Sequence, residues 1–147
     1  MNPKDFLEVA RKLLADKQPS PDCCRAAIGR SYYAAFNVAL ELVNELGIPL
    51  DKGKNSHDAV IEVIIVSEDR DLKAICENLK ARKRLRTLAD YNMNDKTVET
   101  QQKAGQELVL AERLIKQIED VRKNESKWTV ASGKMIWHAR NTHKKNF

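Results

Sequence analysis

The chain has 147 residues, enough for one helical domain to bury a core without metal or disulfide support. Five Gly, four Pro, 42% hydrophobic and 32% charged residues exclude collagen-like and low-complexity classes and suit long helices with solvated faces. The net charge of +5 is unevenly placed, no apolar run approaches the roughly 18 residues that span a bilayer, and the opening MNPKDFLEVARKLL lacks a signal peptide's apolar centre, so a cytoplasmic protein with no membrane partner is expected.

Taken in order, Phe6, Val9, Leu13 and Leu14 recur at helical spacing and predict a short amphipathic helix from about Pro3 to Asp16. The second helix has the clearest signals: Ser20 as N-cap, Pro21 at the first helical position, Asp22 beside the positive end of the dipole, Gly47 at the C-cap and Pro49 beyond. Apolar residues cover most of its circumference, as in a central helix touched on several sides. Cys23, Cys24 and Cys76 contain no C-x-x-C pair and read as reduced, small apolar residues.

Asn55 or Ser56 caps a third helix through VIEVIIV; this β-branched run also suits a buried strand, but no partner strand is evident nearby. Ser67 or Asp69 opens a fourth helix to about Leu88, and Thr97 a fifth to about Lys123, with Ala104, Leu108, Ala111, Ile115 and Ile118 as its inner stripe. The expected fold is therefore all-α, an antiparallel up-and-down bundle of about five helices over residues 1–123. Residues 124–147 form a basic aromatic tail with Lys127, Lys134, Arg140, Lys144 and Lys145 against Glu125 alone. Two short apolar runs around Ser132-Gly133 suggest a β-hairpin there, with Trp128 and Val130 facing Met135 and Trp137. Lys127, Trp128, Lys134, Trp137, Arg140 and Phe147 have the chemistry to contact phosphates and stack on bases, although a solvated, partly packed C-terminus fits as well.

On the second helix Arg30, Asn37, Glu41 and Asn44 form a narrow polar stripe with Tyr33 at its edge; it faces either water or another polar surface. On the fourth, the spacing of Leu72, Ile75 and Leu79 continues onto Arg82, Arg86 and Ala89, so two arginines occupy inward positions. A buried guanidinium is costly unless paired or awaiting an anion, and Asp90 or Glu41 on the one hand, a phosphate on the other, would satisfy it. His57, in the first turn of the third helix, is a candidate general base through a lowered pKa, or a capping residue. His138 and His143 have no acidic or cysteine neighbours at ligand spacing, so neither metal site nor cofactor is expected; Gly-rich phosphate loops and a nucleophile elbow are absent from the sequence.

The stretch Ala26-Ala27-Ile28-Gly29-Arg30-Ser31-Tyr32-Tyr33-Ala34-Ala35-Phe36, the opening Lys54-Asn55-Ser56-His57, and Arg86-Thr87-Leu88-Ala89-Asp90-Tyr91 together resemble the HEPN superfamily, over about residues 5 to 122. The last segment resembles its small stand-alone branch with an R-x-x-A-D-Y ending. The resemblance implies a homodimer that brings the ends of the second and fourth helices together at a two-fold axis. It also implies RNA or nucleotide handling in a toxin–antitoxin or anti-phage system, often beside a nucleotidyltransferase partner. Arg30, Tyr33, Asn37, Arg82, Arg86 and Tyr91 are then the binding residues. Many members are metal-independent endoribonucleases with a His soon after the functional arginine. Here Asp90, Tyr91 and Asn92 stand in that region, so catalysis would fall to Arg86 with Asp90 or His57. Binding is the favoured expectation, with an active ribonuclease or a non-catalytic antitoxin or interaction subunit as alternatives.

Overall fold

The computed structural model describes residues 1–145, with side chains through Thr142. The fold is an all-α helical bundle of six α-helices, with no strand among the described residues. They are α1 (Asp5–Leu13), α2 (Pro21–Asn44), α3 (Ser56–Ile65), α4 (Arg70–Tyr91), α5 (Gln101–Lys123) and α6 (Glu125–Lys145); a 3-10 turn, Lys96–Glu99, precedes α5.

The boundaries follow capping chemistry. Pro21 opens α2, and the Ser20 hydroxyl, bonded to the Asp22 carboxylate, is the main reason that carboxyl lies below its ordinary range. Gly47 turns the chain after α2 with φ 68°, a left-handed conformation that favours glycine. Asn55 caps α3 by accepting from Asp58 N at 2.9 Å, and Val60, Ile61 and Ile64 are buried, so the β-branched run is helical. For α4 the cap is Asp69, which accepts from Leu72 N at 2.9 Å.

Two expectations are corrected. The fifth helix begins at Gln101 rather than Thr97, because Asp95 binds Thr97 N at 2.9 Å and closes a 3-10 turn, after which the Thr100 hydroxyl accepts from Lys103 N at 3.1 Å. The expected hairpin is instead α6. Asn124 caps it by accepting from Lys127 N at 3.3 Å, and Ala131 and Met135, four residues apart, are both 1% exposed. Gly133 is exposed within α6, where a glycine costs only about 1 kcal/mol relative to alanine, too little to break a helix with a packed face.

The chain forms two compact units, and α2, α4 and α5 each contribute residues to both. The first comprises Met1–Val38 and Asn78–Lys116, with a core of Ala10, Cys24, Ala27, Ile28, Ala89, Val98 and Ala104 flanked by Leu13, Leu14, Leu85, Leu88 and Leu108. Small side chains dominate this core, which lets helix backbones approach closely. The second comprises Ala39–Glu77 and the residues from Gln117 on; Val43, Val60, Ile64, Leu72, Ile75, Ile118 and Met135 are buried in it. Phe147 and the side chains of Lys144 and Lys145, counted with the basic tail above, lie outside the described residues, as does the side chain of His143.

Candidate functional site

In the first unit the functional candidates of α2 and α4 meet around one ring. The Arg86 guanidinium carbon lies 5.1 Å from the Tyr33 ring centre and 5.9 Å from that of Tyr32, and Arg86 Nη2 donates to the Tyr33 hydroxyl at 2.6 Å. Arg30 lies 5.9 Å from the Tyr33 ring centre and 5.8 Å from that of Phe6 on α1. Tyr32 meets Tyr33 edge-on at 5.5 Å, fixing the ring that the two cations share.

Asp90, one turn beyond Arg86, brings Oδ2 within 2.9 Å of Arg86 Nε, at an angle too bent for a hydrogen bond. It lies close to α2: a Cβ at Gly29 would stand 3.7 Å from Asp90 Oδ1, in ordinary contact. Asp90 thus serves Arg86 alone, and Arg30 has no acidic partner among the described residues. The cluster keeps an excess positive charge at a place where Arg30 is exposed and the Arg86 side chain is 19% exposed. A guanidinium has five N–H donors in a rigid fork, and those of Arg86 not directed at Tyr33 and Asp90 are free for oxyanion recognition.

The other candidates separate from this cluster. Arg82, one turn before Arg86, has its Nε 2.7 Å from Glu107 Oε2 on α5, with Lys103 Nζ 3.8 Å from Oε1. Glu107 is 2% exposed, and this burial pushes its carboxyl above the ordinary range against the opposing pull of Arg82 and Lys103. Asn37 turns its amide to the Tyr33 carbonyl at 2.7 Å, while Tyr91 is 72% exposed at the end of α4. Arg30, Glu41 and Asn44 are exposed and Asn37 half-buried, so the polar stripe of α2 faces outward. His57 sits in the first turn of α3 as its position predicts, buried, in the second unit.

In α6, Lys127 Nζ pairs with Asp71 and, at 3.6 Å, with Asp69, and Lys134 Nζ is 3.6 Å from the exposed Glu68. Trp128 is half-buried, and Trp137 and Arg140 are exposed. A groove of about 460 Å³ in the second unit is lined by Ile48, Leu50, Val63, Val66, Met135 and His138 among others. Asp51 and Glu62 offset Lys52 on its walls, so it does not concentrate positive charge.

Two residues of consequence escaped the reading of the sequence. Arg25, 9% exposed, donates to the carbonyls of Ala89 (2.9 Å), Asn92 (3.0 Å) and Asp95 (2.8 Å), and lies 3.5 Å from Glu99 Oε1. It caps α4, whose last carbonyls carry the negative end of the dipole. Its signal was there: Ile28, Gly29, Tyr32 and Phe36 follow it at helical spacing on an apolar stripe. Glu107 was visible only as an acid on the inner side of α5.

No family model matches the chain, and neither does any curated protein or solved structure.

Proposed function

We propose that this chain is a HEPN-type domain that binds RNA or nucleotide through Arg30, Tyr33 and Arg86, with Asp90 holding Arg86 in place. The observation that carries this reading is the pair of arginines over the Tyr33 ring with a single carboxylate, Asp90, beside Arg86, since two cations with one acid lower their energy by taking up an oxyanion. Arg82 serves the fold in this reading, because Glu107 already satisfies its charge. Binding rather than cleavage is favoured, as no imidazole stands beside Arg86 in the sequence after it.

The same reading expects a homodimer and a cytoplasmic setting within a toxin–antitoxin or anti-phage system, with a nucleotidyltransferase as a candidate operon-encoded partner. Tyr91 and Met93, 72% and 59% exposed at the end of α4 and just after it, supply apolar surface for self-pairing.

Fluorescence anisotropy with a labelled single-stranded RNA tests the proposal. Arg86→Ala and Arg30→Ala should each remove most of the affinity while leaving the helical signal in circular dichroism unchanged. Undiminished affinity in both variants would overturn it. Incubation of the same RNA with the protein in EDTA separates binding from metal-independent cleavage, and sedimentation at micromolar concentration reads the dimer.

A further inference from the structure

We infer that the outward face of α6 is a second contact for single-stranded RNA, with Trp137 stacking on a base and Lys134 and Arg140 meeting the phosphates on either side. The inference rests on the RNA-binding reading above and adds a surface to it, carried by different residues.

Trp137 is 65% exposed on a helix whose inward face already holds Ala131 and Met135. Tryptophan is among the most buried residue types on average, so an indole at the centre of an outward face needs a reason. Lys134, Trp137 and Arg140 follow one another at three-residue intervals, each a rise of about 4.5 Å along the axis, which puts one cation on each side of the ring. A helical side chain covers the turn N-terminal to its own Cα, which for Trp137 is the turn of Gly133. A Cβ at Gly133 would meet nothing within 4 Å, so the helix surface one turn before Trp137 is open space.

Charge selects the occupant. Within residues 125–142, Glu125 at the first position is the one acid, and Lys127 is turned away to Asp69 and Asp71. The pairing of Lys134 is with Glu68, whose side chain is 78% exposed; such a pair is worth little and exchanges readily for a phosphate. A membrane surface would require a broad apolar face, whereas among the described residues of α6 only Val130 joins Trp137 as an exposed large apolar side chain. A polyanion carrying flat bases fits both the cations and the single ring.

The test uses the full chain, a fluorescein-labelled oligouridylate and uridine monophosphate. Trp137→Ala should weaken oligouridylate binding about 5- to 100-fold, as loss of one stacked base does, and leave uridine monophosphate binding unchanged. The double variant Lys134→Ala/Arg140→Ala should flatten the logarithmic dependence of affinity on salt by about 1.4, two phosphates at about 0.7 each. Oligouridylate should also quench tryptophan emission in the wild type and not in Trp137→Ala. Unchanged affinity and salt slope in these variants, with Arg86→Ala still impaired, overturns this inference alone. Impairment by Trp137→Ala with Arg86→Ala unaffected supports it and overturns the Arg86 reading. A blue shift of Trp137 emission on phosphatidylserine vesicles, or on an acidic protein, with no response to RNA overturns it in favour of that partner. Because Trp137 is exposed, its truncation should leave the circular dichroism spectrum intact.

Discussion

Arg82 and Glu107 form an ion pair almost entirely withdrawn from water, Nε to Oε2 at 2.7 Å with side-chain exposures of 13% and 3%. Removing the arginine leaves a carboxylate stranded inside the first unit, with Lys103 at 3.8 Å as its nearest cation. Arg82→Ala should therefore lower stability by about 3 to 5 kcal/mol. Urea denaturation reads this; a loss under about 1 kcal/mol would mean that Glu107 finds water or another partner.

Arg86→Ala should behave differently. Asp90 is 36% exposed and is solvated when its partner leaves, so a loss of about 1 kcal/mol is expected, alongside the loss of RNA affinity. The two variants one turn apart on α4 thus separate a structural arginine from a binding one. Equal destabilisation in both would place Arg86 with Arg82 as a clamp.

The raised Glu107 carboxyl links stability to pH. Its pKa in the folded protein is above that of the unfolded chain, so its favourable contribution is fully present below the ordinary glutamate range near about 4.3 and is lost as pH rises through the folded value. Glu107→Gln does not titrate. The melting temperature of Glu107→Gln minus that of the wild type should accordingly climb as pH increases from about 4, and thermal melts across a pH series would show the slope. A difference that is flat with pH would mean that the carboxyl is not raised.

Glu68 has φ 56°, in the left-handed region that costs a non-glycine residue about 1 kcal/mol. Its side chain is 78% exposed and its partner Lys134 stands 3.6 Å away. Glu68→Gly should relieve the strain, lose little with the ion pair, and raise the melting temperature by about 2 °C after allowance for the freer unfolded chain. A fall on thermal melting would show that the Lys134 contact outweighs the backbone strain.

The helices were legible wherever a cap and a stripe coincided, as between Pro21 and Gly47 or from Asn55 through Ile64. The inward positions of Arg82 and Arg86 were legible too, because Leu72, Ile75 and Leu79 set the stripe they continue. Glu107 was not, since nothing local says that an acid twenty-five residues after Arg82 will be its partner. The residues around Gly133 misled for a related reason: serine and glycine between apolar runs mark a turn only if the runs pair, and here Ala131 and Met135 had a helix-spaced core position to fill.

One side chain on α2 sets how the far end of the first unit opens. Arg25 gathers the carbonyls of Ala89, Asn92 and Asp95 from sixty-four to seventy residues away, so the end of α4 and the link after it cannot fray on their own. Each local opening there has to withdraw a guanidinium from several acceptors at once. Amide hydrogens from Asn92 to Thr97, in a surface link that would ordinarily exchange within its own fast fluctuations, should then exchange with the core helices and report the opening of α2.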